Sequence, residues 1–320
     1  VLAFIVLAVV FWVWPDPTGK SIKLDPFFPG KEPTLRGTSS QPVTLRYALA
    51  SKKPQQRSLE IQLIAYQGQT HNSKRLADEK KPLALQRIIF DFVYEPVICD
   101  AHAVCNLRLI VKRIRASGQR GKNYDSADKN TSTQLSPLIY DALVKTPVPL
   151  RVHTSGKVES VDTKPVSDAL GKMATPPAVA YLNTVVQSLS NDLFVVFPEK
   201  PVGVNETFVN PELSIHFADL TTLKISRKFT LKGVSADGAQ ALLQTEMTTR
   251  MVVAEGAAKN PPGYTLALEG TKAKGWVLYD IKAQDVLRAA RDIEFSFSGT
   301  NNKEQFKQMS HFKALYRSNP

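Results

Sequence analysis

The sequence predicts a mainly β (α+β) protein: an N-terminal transmembrane helix, then an antiparallel β-rich body of two quasi-repeated meanders with a few short helices. Three observations carry this. The first fourteen residues, Val1 to Trp14, are apolar throughout. Most of the chain after them alternates apolar and polar residues, the period-two pattern of half-buried strands. Two long runs around a short turn also occur twice, Ile88–Glu95 with Val104–Ile114 and Leu223–Lys232 with Ala239–Val253, which reads as an internal repeat of two sheets.

The apolar run is expected to be the anchor. Helical residues rise about 1.5 Å each and a hydrocarbon core is about 30 Å thick, so residues 1–14 alone are too short. The chain starts at Val1 rather than Met, and the helix is expected to continue upstream. Phe11, Trp12 and Trp14 suit the headgroup boundary, and Pro15 ends the helix as it leaves the bilayer. The competing reading, the apolar core of a cleavable signal peptide, wants small residues where Phe11, Trp12 and Trp14 stand. The expected location is therefore the bacterial inner membrane, single-pass, with the main domain in the periplasm.

Residues 15–42 form a proline-rich linker, with Pro15, Pro17, Pro26, Pro29, Pro33 and Pro42 punctuated by glycines. Such a segment is extended and semi-rigid. Phe27 and Phe28 interrupt it, and would dock on a partner, on the membrane interface or on the protein's own surface.

The body is expected over 43–299, with halves at about 43–165 and 194–299. Val43–Leu49 and Leu59–Tyr66 alternate as strands, and Ile88–Glu95 and Val104–Ile114 form the longest hairpin. Leu135, Leu138, Ile139, Ala142 and Leu143 recur at helical spacing behind Ser132 and Thr133, which can cap. Thr154-Ser155-Gly156 turns a further hairpin. A second helix is predicted from Pro177 to Ser190, with proline in its first turn. Tyr264–Leu268, Gly275–Ile281 and Asp292–Ser298 complete the second sheet. Residues 300–320 read as a basic amphipathic tail. Phe306, Met309, Phe312 and Tyr316 recur at helical spacing among lysines and an arginine, and Phe306, Met309 and Phe312 are possible partner contacts.

Charge bounds the partners. The sequence has 41 Lys+Arg against 29 Asp+Glu, a net charge of +12 spread along the chain. Such a surface suits acidic protein surfaces and membrane lipids. Nucleic acid is not expected: Arg108, Lys112, Arg113 and Arg115 gather on one hairpin without any accompanying recognition module.

Cys99 and Cys105 flank a five-residue turn. If the runs beside them pair, the thiols face each other and a disulfide places the domain in an oxidising compartment. The alternatives are two reduced structural thiols, or Cys99, His102 and Cys105 as three metal ligands, at a spacing unusual for zinc.

No catalytic motif is present and no cofactor is expected. Gly270 to Gly275 has the glycine spacing of a phosphate loop, but Trp276 stands where its lysine belongs. There is no Gly-x-Ser-x-Gly elbow and no His-Glu-x-x-His. His71, His102, His153, His216 and His311 are dispersed, and His153 and His216 lie in strand patterns.

Several local patterns resemble a family of exported or membrane-anchored bacterial proteins whose role is not established. They are Tyr124-Asp125-Ser126, the helix Leu135–Leu143 leading to Pro149-Leu150 and Ser155-Gly156-Lys157-Val158, the run Phe197 to Phe208, and the turn Asp237-Gly238-Ala239. The likeness covers about residues 43–299 and implies a β-rich envelope protein without an enzymatic role. Anchor, tether and basic body together predict a non-catalytic accessory subunit bracing a larger membrane complex on its periplasmic side, an electron-transfer, respiratory or photosynthetic complex being the kind of host expected. The alternative is a membrane-anchored protein that binds lipid or another hydrophobic ligand in an apolar groove.

Overall fold

The computed structural model describes residues 32–50, 54–70, 84–118, 124–128, 135–217, 221–253, 264–301 and 304–319. The expected anchor and most of the linker lie outside them. Among the described residues no helix is long and apolar enough to cross a membrane.

The two expected sheets are one. Twelve antiparallel strands form a single sheet, comprising β1 (Gln56–Thr70), β2 (Ala84–Cys99), β3 (Val104–Gly118), β4 (Tyr124–Asp125), β5 (Val148–His153), β6 (Val158–Val161), β7 (Thr207–Phe217), β8 (Thr221–Val234), β9 (Gln240–Val253), β10 (Tyr264–Asp280), β11 (Asp285–Asn301) and β12 (Glu304–Asn319). Their order is β6-β5-β3-β2-β1-β12-β11-β10-β9-β8-β7, with β4 beside β3. The prediction of two repeated meanders fails at the seam. Leu59 pairs with Tyr316 and Leu63 with Phe312, so β12 joins the first meander to the second in one continuous ladder.

The expected amphipathic tail is that joining strand. Phe312, Ala314 and Tyr316 alternate onto one face, where they are buried. Tertiary pairing on both sides outweighs the helical spacing seen in isolation. Val43–Leu49 is corrected in the opposite sense. Its alternate residues Val43, Leu45 and Tyr47 are buried, yet its backbone bonds to turns and loops: Val43 with Val202 in both directions, Tyr47 N–H to the Thr154 carbonyl and Ala48 N–H to the Gln284 carbonyl. It is a strap across the sheet end rather than a strand.

Three helices are described: α1 (Leu135–Lys145), α2 (Lys164–Leu170) and α3 (Pro176–Leu193), with α3 opened by prolines in its first turn. They pack on the inner face at its β2–β6 end. Ile139, Tyr140 and Leu143 of α1 and Leu182, Val185, Val186 and Leu189 of α3 join Phe90, Phe92, Leu107, Phe229, Leu243, Ile293 and Phe295 in one buried core. At about 1.5–3 kcal/mol per buried large apolar side chain, this face supplies the main driving force for folding.

The outer face is different. Arg87–Glu60 (2.5 Å), Arg115–Asp91 (2.8 Å), Arg113–Asp125 (2.5 Å) and Arg108–Glu95 (3.0 Å) lace β1 to β4, and Glu212 bridges Lys224 and Arg250 at 3.2 Å each across β7 to β9. A small apolar cluster of Leu242, Trp276, Leu278, Ala290 and Leu315 interrupts this polar surface, with Leu35 packed on it from the N-terminal segment. The same segment is tied down where Ser39 N–H bonds the Val234 carbonyl and Ala236 N–H the Arg36 carbonyl.

Candidate functional site

Two places gather polar groups. One is a buried cluster where β1, β11 and β12 meet the strap; the other is the hairpin tip between β2 and β3.

In the buried cluster, Arg57 donates both Nη atoms to Asp285 at 3.1 and 2.7 Å, donates also to Tyr316 Oη, and lies 5.2 Å from the centroid of the Tyr94 ring. Tyr47 Oη accepts the Val195 N–H at 2.9 Å, and Tyr279 Oη bonds the Arg46 backbone. Burial pushes the phenols of Tyr47, Tyr94 and Tyr316 up, and raises Tyr279 to about 12. Burial opposes the charge of Arg57, but Tyr316 and Asp285 more than offset it and hold the guanidinium protonated. The tyrosines therefore stay neutral and the arginine stays charged across the physiological range, which suits a clamp rather than an acid–base device. The adjoining cavity is only about 50 Å³.

At the hairpin tip, Cys99 and Cys105 are joined by a disulfide and are direct partners across β2 and β3. Asp100 shapes the turn, with Oδ1 accepting the N–H of His102 at 2.9 Å and of Val104 at 3.0 Å. The bond from Val104, then that from His102 and the charges of His102 and Arg151, hold its carboxyl below the usual range. The ladder between β1 and β2 starts at Gln56 and Val93, so among the described residues Tyr94–Cys99 have only β3 as a strand partner. Pro96 and a bulge at Val97 follow, and Val97 (59 %) and Ile98 (64 %) are exposed. Beside them lies a groove of about 410 Å³ lined by Ala50, Pro54, Glu95, Pro96, Ile98 and Arg108.

Of the residues predicted as contacts, Phe11, Trp12, Trp14, Phe27 and Phe28 lie outside the described residues. Phe306 is in β12 opposite Gly299, Met309 is half-buried, and Phe312 is buried in the core, where no partner can reach it. The metal reading of Cys99, His102 and Cys105 is corrected by the disulfide, which removes both thiolates; among the described residues no group of three or more His, Cys, Asp or Glu could hold a metal. His153 Nδ1 accepts the Ser155 N–H at 3.0 Å and lies 2.8 Å from its Oγ, which is turn geometry. His311 pairs with Glu294 on the outer face.

The residues behind the family resemblance shape the chain. Asp125 grips Arg113 through two bonds, Ser126 Oγ accepts the Ile114 N–H, Glu206 accepts the Gly203 N–H, and Asp237 accepts from Ser235 and from the Ala239 N–H. No sequence motif marks the hairpin tip as a docking site. Its signal is the pair Val97-Ile98 beside a turn, where polar residues are usual.

Neither a protein-family model nor a curated protein sequence matches the chain. Solved structures that align with it include OpdQ from Pseudomonas aeruginosa (7% identity, 84% of this chain and 100% of that one, TM-score 0.23). A Pseudomonas putida F1 outer membrane channel (5% identity, 83% and 96%, TM-score 0.17) and an Rh. blastica porin mutant (8% identity, 82% and 100%, TM-score 0.20) also align. Scores this low carry no argument about fold or function. With no spanning helix among the described residues and the supposed partner-binding tail built into the sheet, the expectation of a single-pass inner-membrane accessory subunit is withdrawn. The hydrophobic-ligand alternative falls with it, because the inner-face side chains that would hold the ligand are already buried in one packed core.

Proposed function

We propose that this chain is an exported, non-catalytic docking protein that binds an acidic protein partner through its polar surface. The observation that carries the reading is the distribution of side chains over the two sheet faces. The inner face is mainly apolar and buried in one core, with Arg57, Arg227, Asp285 and Arg291 enclosed in it, and the outer face is laced with ion pairs. A transmembrane barrel has the reverse pattern, apolar outward and polar within. A carrier needs an unfilled apolar interior. Surface recognition is what this arrangement leaves, and a net charge of +12 selects acidic surfaces. The disulfide at the hairpin tip supports an oxidising compartment.

Zero-length carbodiimide coupling in intact envelopes of the producing cells tests this, because it joins lysine amines to carboxylates in direct contact. The expected result is a set of links from outer-face lysines such as Lys112 and Lys274 to acidic residues of one partner, lost as salt is raised toward 0.5 M. Links confined to this chain, or insensitive to salt, overturn the proposal.

A further inference from the structure

We infer that the tip of the β2–β3 hairpin is the docking site, and that its occupant is an extended, acidic segment of a protein chain with aliphatic residues at its centre. This deepens the function proposed above and rests on it. Three features of the tip converge.

The first is exposed apolar surface in a place built to hold it still. Val97 and Ile98 are large hydrophobic side chains left exposed, at 59 % and 64 %. They stand between a disulfide on one side and the ladder to β3 on the other. Asp100 fixes the turn with two backbone bonds, and Thr154 N–H bonds the Ala103 carbonyl, tying it to the neighbouring hairpin. A preorganised apolar knob loses little entropy when it is covered.

The second is the groove beside that knob. Its volume of about 410 Å³ and its open form suit a strand-like segment lying across Pro96. Pro96 has no N–H to give and the bulge at Val97 breaks the register, so a visiting strand cannot continue the ladder. Recognition there is by side chains: aliphatic groups against Ile98, Val97 and Pro54.

The third is charge. Arg108 (55 % exposed side chain) borders the groove, and Arg151 (56 %) pairs with β3 at Asn106, which is itself opposite Ile98. Arg108 has Glu95 at 3.0 Å, but Arg151 reaches Asp100 only at 3.9 Å. Both guanidiniums have donors to spare for carboxylates flanking the aliphatic residues, a match of sign that steers encounter and weakens with salt.

The test uses the full chain and two fluorescent pools of extended hexapeptides with aliphatic residues at the two central positions, one flanked by Asp and Glu, the other by Lys. Anisotropy is expected to show the acidic pool bound at least tenfold more tightly, with the difference shrinking between 50 and 300 mM salt. Val97→Ser with Ile98→Ser, and Arg108→Gln with Arg151→Gln, should each weaken it about tenfold, while Lys172→Glu on a distant exposed turn leaves it unchanged. All these residues are exposed, and unaltered thermal unfolding confirms that each variant is folded. Equal binding of both pools, binding of neither, or full binding by the hairpin variants overturns the inference. So does capture of phosphatidylglycerol vesicles, with neither pool bound, through the same residues. If carbodiimide links to an acidic partner persist while the hairpin variants bind normally, only the location fails and the docking function stands.

Discussion

Arg57 and Asp285 lie 228 positions apart in sequence and meet in a two-bond ion pair at 2.7 and 3.1 Å. Arg57 belongs to β1 and Asp285 opens β11, so the pair spans the strand between them, whose Tyr316 also accepts from Arg57. Arg57→Ala leaves a carboxylate that is nearly buried without its counter-charge, and should cost about 3–5 kcal/mol. Arg57→Met with Asp285→Leu removes both charges and should cost clearly less. Urea unfolding of the two variants measures the difference.

Gly156 turns the β5–β6 hairpin at φ +91°, where a Cβ would meet the Val195 carbonyl oxygen at 2.2 Å and Tyr47 Cε2 at 2.6 Å. The same Tyr47 hydroxyl holds the Val195 N–H. Gly156→Ala should therefore destabilise by more than about 2 kcal/mol, through backbone strain and displacement of Tyr47 together. Tyr47→Phe loses only the hydrogen bond, at about 1–3 kcal/mol for the orphaned N–H. Thermal unfolding should rank the two in that order.

Asp125 should give a measurable pH dependence. Its side-chain bonds with Arg113, then the Ala127 N–H, depress its carboxyl from 3.8 to about 2. The folded value is the lower one, so the stabilisation is present above the unfolded value near 3.8 and is lost as pH falls through about 2. The pair is largely solvent-exposed, so the amount is small. Carbon-detected titration of the carboxyl reports the shift directly, and Arg113→Gln should return it toward 3.8.

Leu35 should report whether the N-terminal segment holds the outer cluster closed. Leu35→Asp puts a charge on the cluster that contains Trp276. In a Trp12→Phe, Trp14→Phe background, Trp276 is the remaining tryptophan. Its emission should move to the red and its quenching by acrylamide should rise. Unchanged emission would mean that the segment contributes nothing to burying the cluster.

Local pairings could be read from the sequence and distant ones could not. Cys99 and Cys105 sit six positions apart around a turn, and the alternation beside them fixes which face each takes. Helical spacing likewise located α1 and most of α3, because both bury a single stripe. The tail misled because Phe306, Met309, Phe312 and Tyr316 fit a helix, although three of the four are even-numbered and fit a strand equally well. Only the contact of Leu59 with Tyr316 decides between them. The clamp of Arg57, Tyr94, Asp285 and Tyr316 draws on four separate strands, and none of the four carries a local signal of its partners. At the hairpin tip, the exposure of Val97 and Ile98 follows from where β1 stops pairing with β2, which is likewise a long-range fact.

The insertion of β12 between β1 and β11 bears on how the protein is made. Residues of β1 leave the ribosome early, yet one edge of that strand waits for Glu304–Asn319. At about 5–20 residues per second, that interval is of order ten to fifty seconds. Throughout it the nascent chain carries a long unpaired edge with Leu59, Ile61 and Leu63 uncovered on that side. The first meander cannot close by itself, and release of the last strand sets the moment at which folding completes. A cell making this protein thus has reason to hold the chain open, by a chaperone or by the export machinery, until its final strand is available.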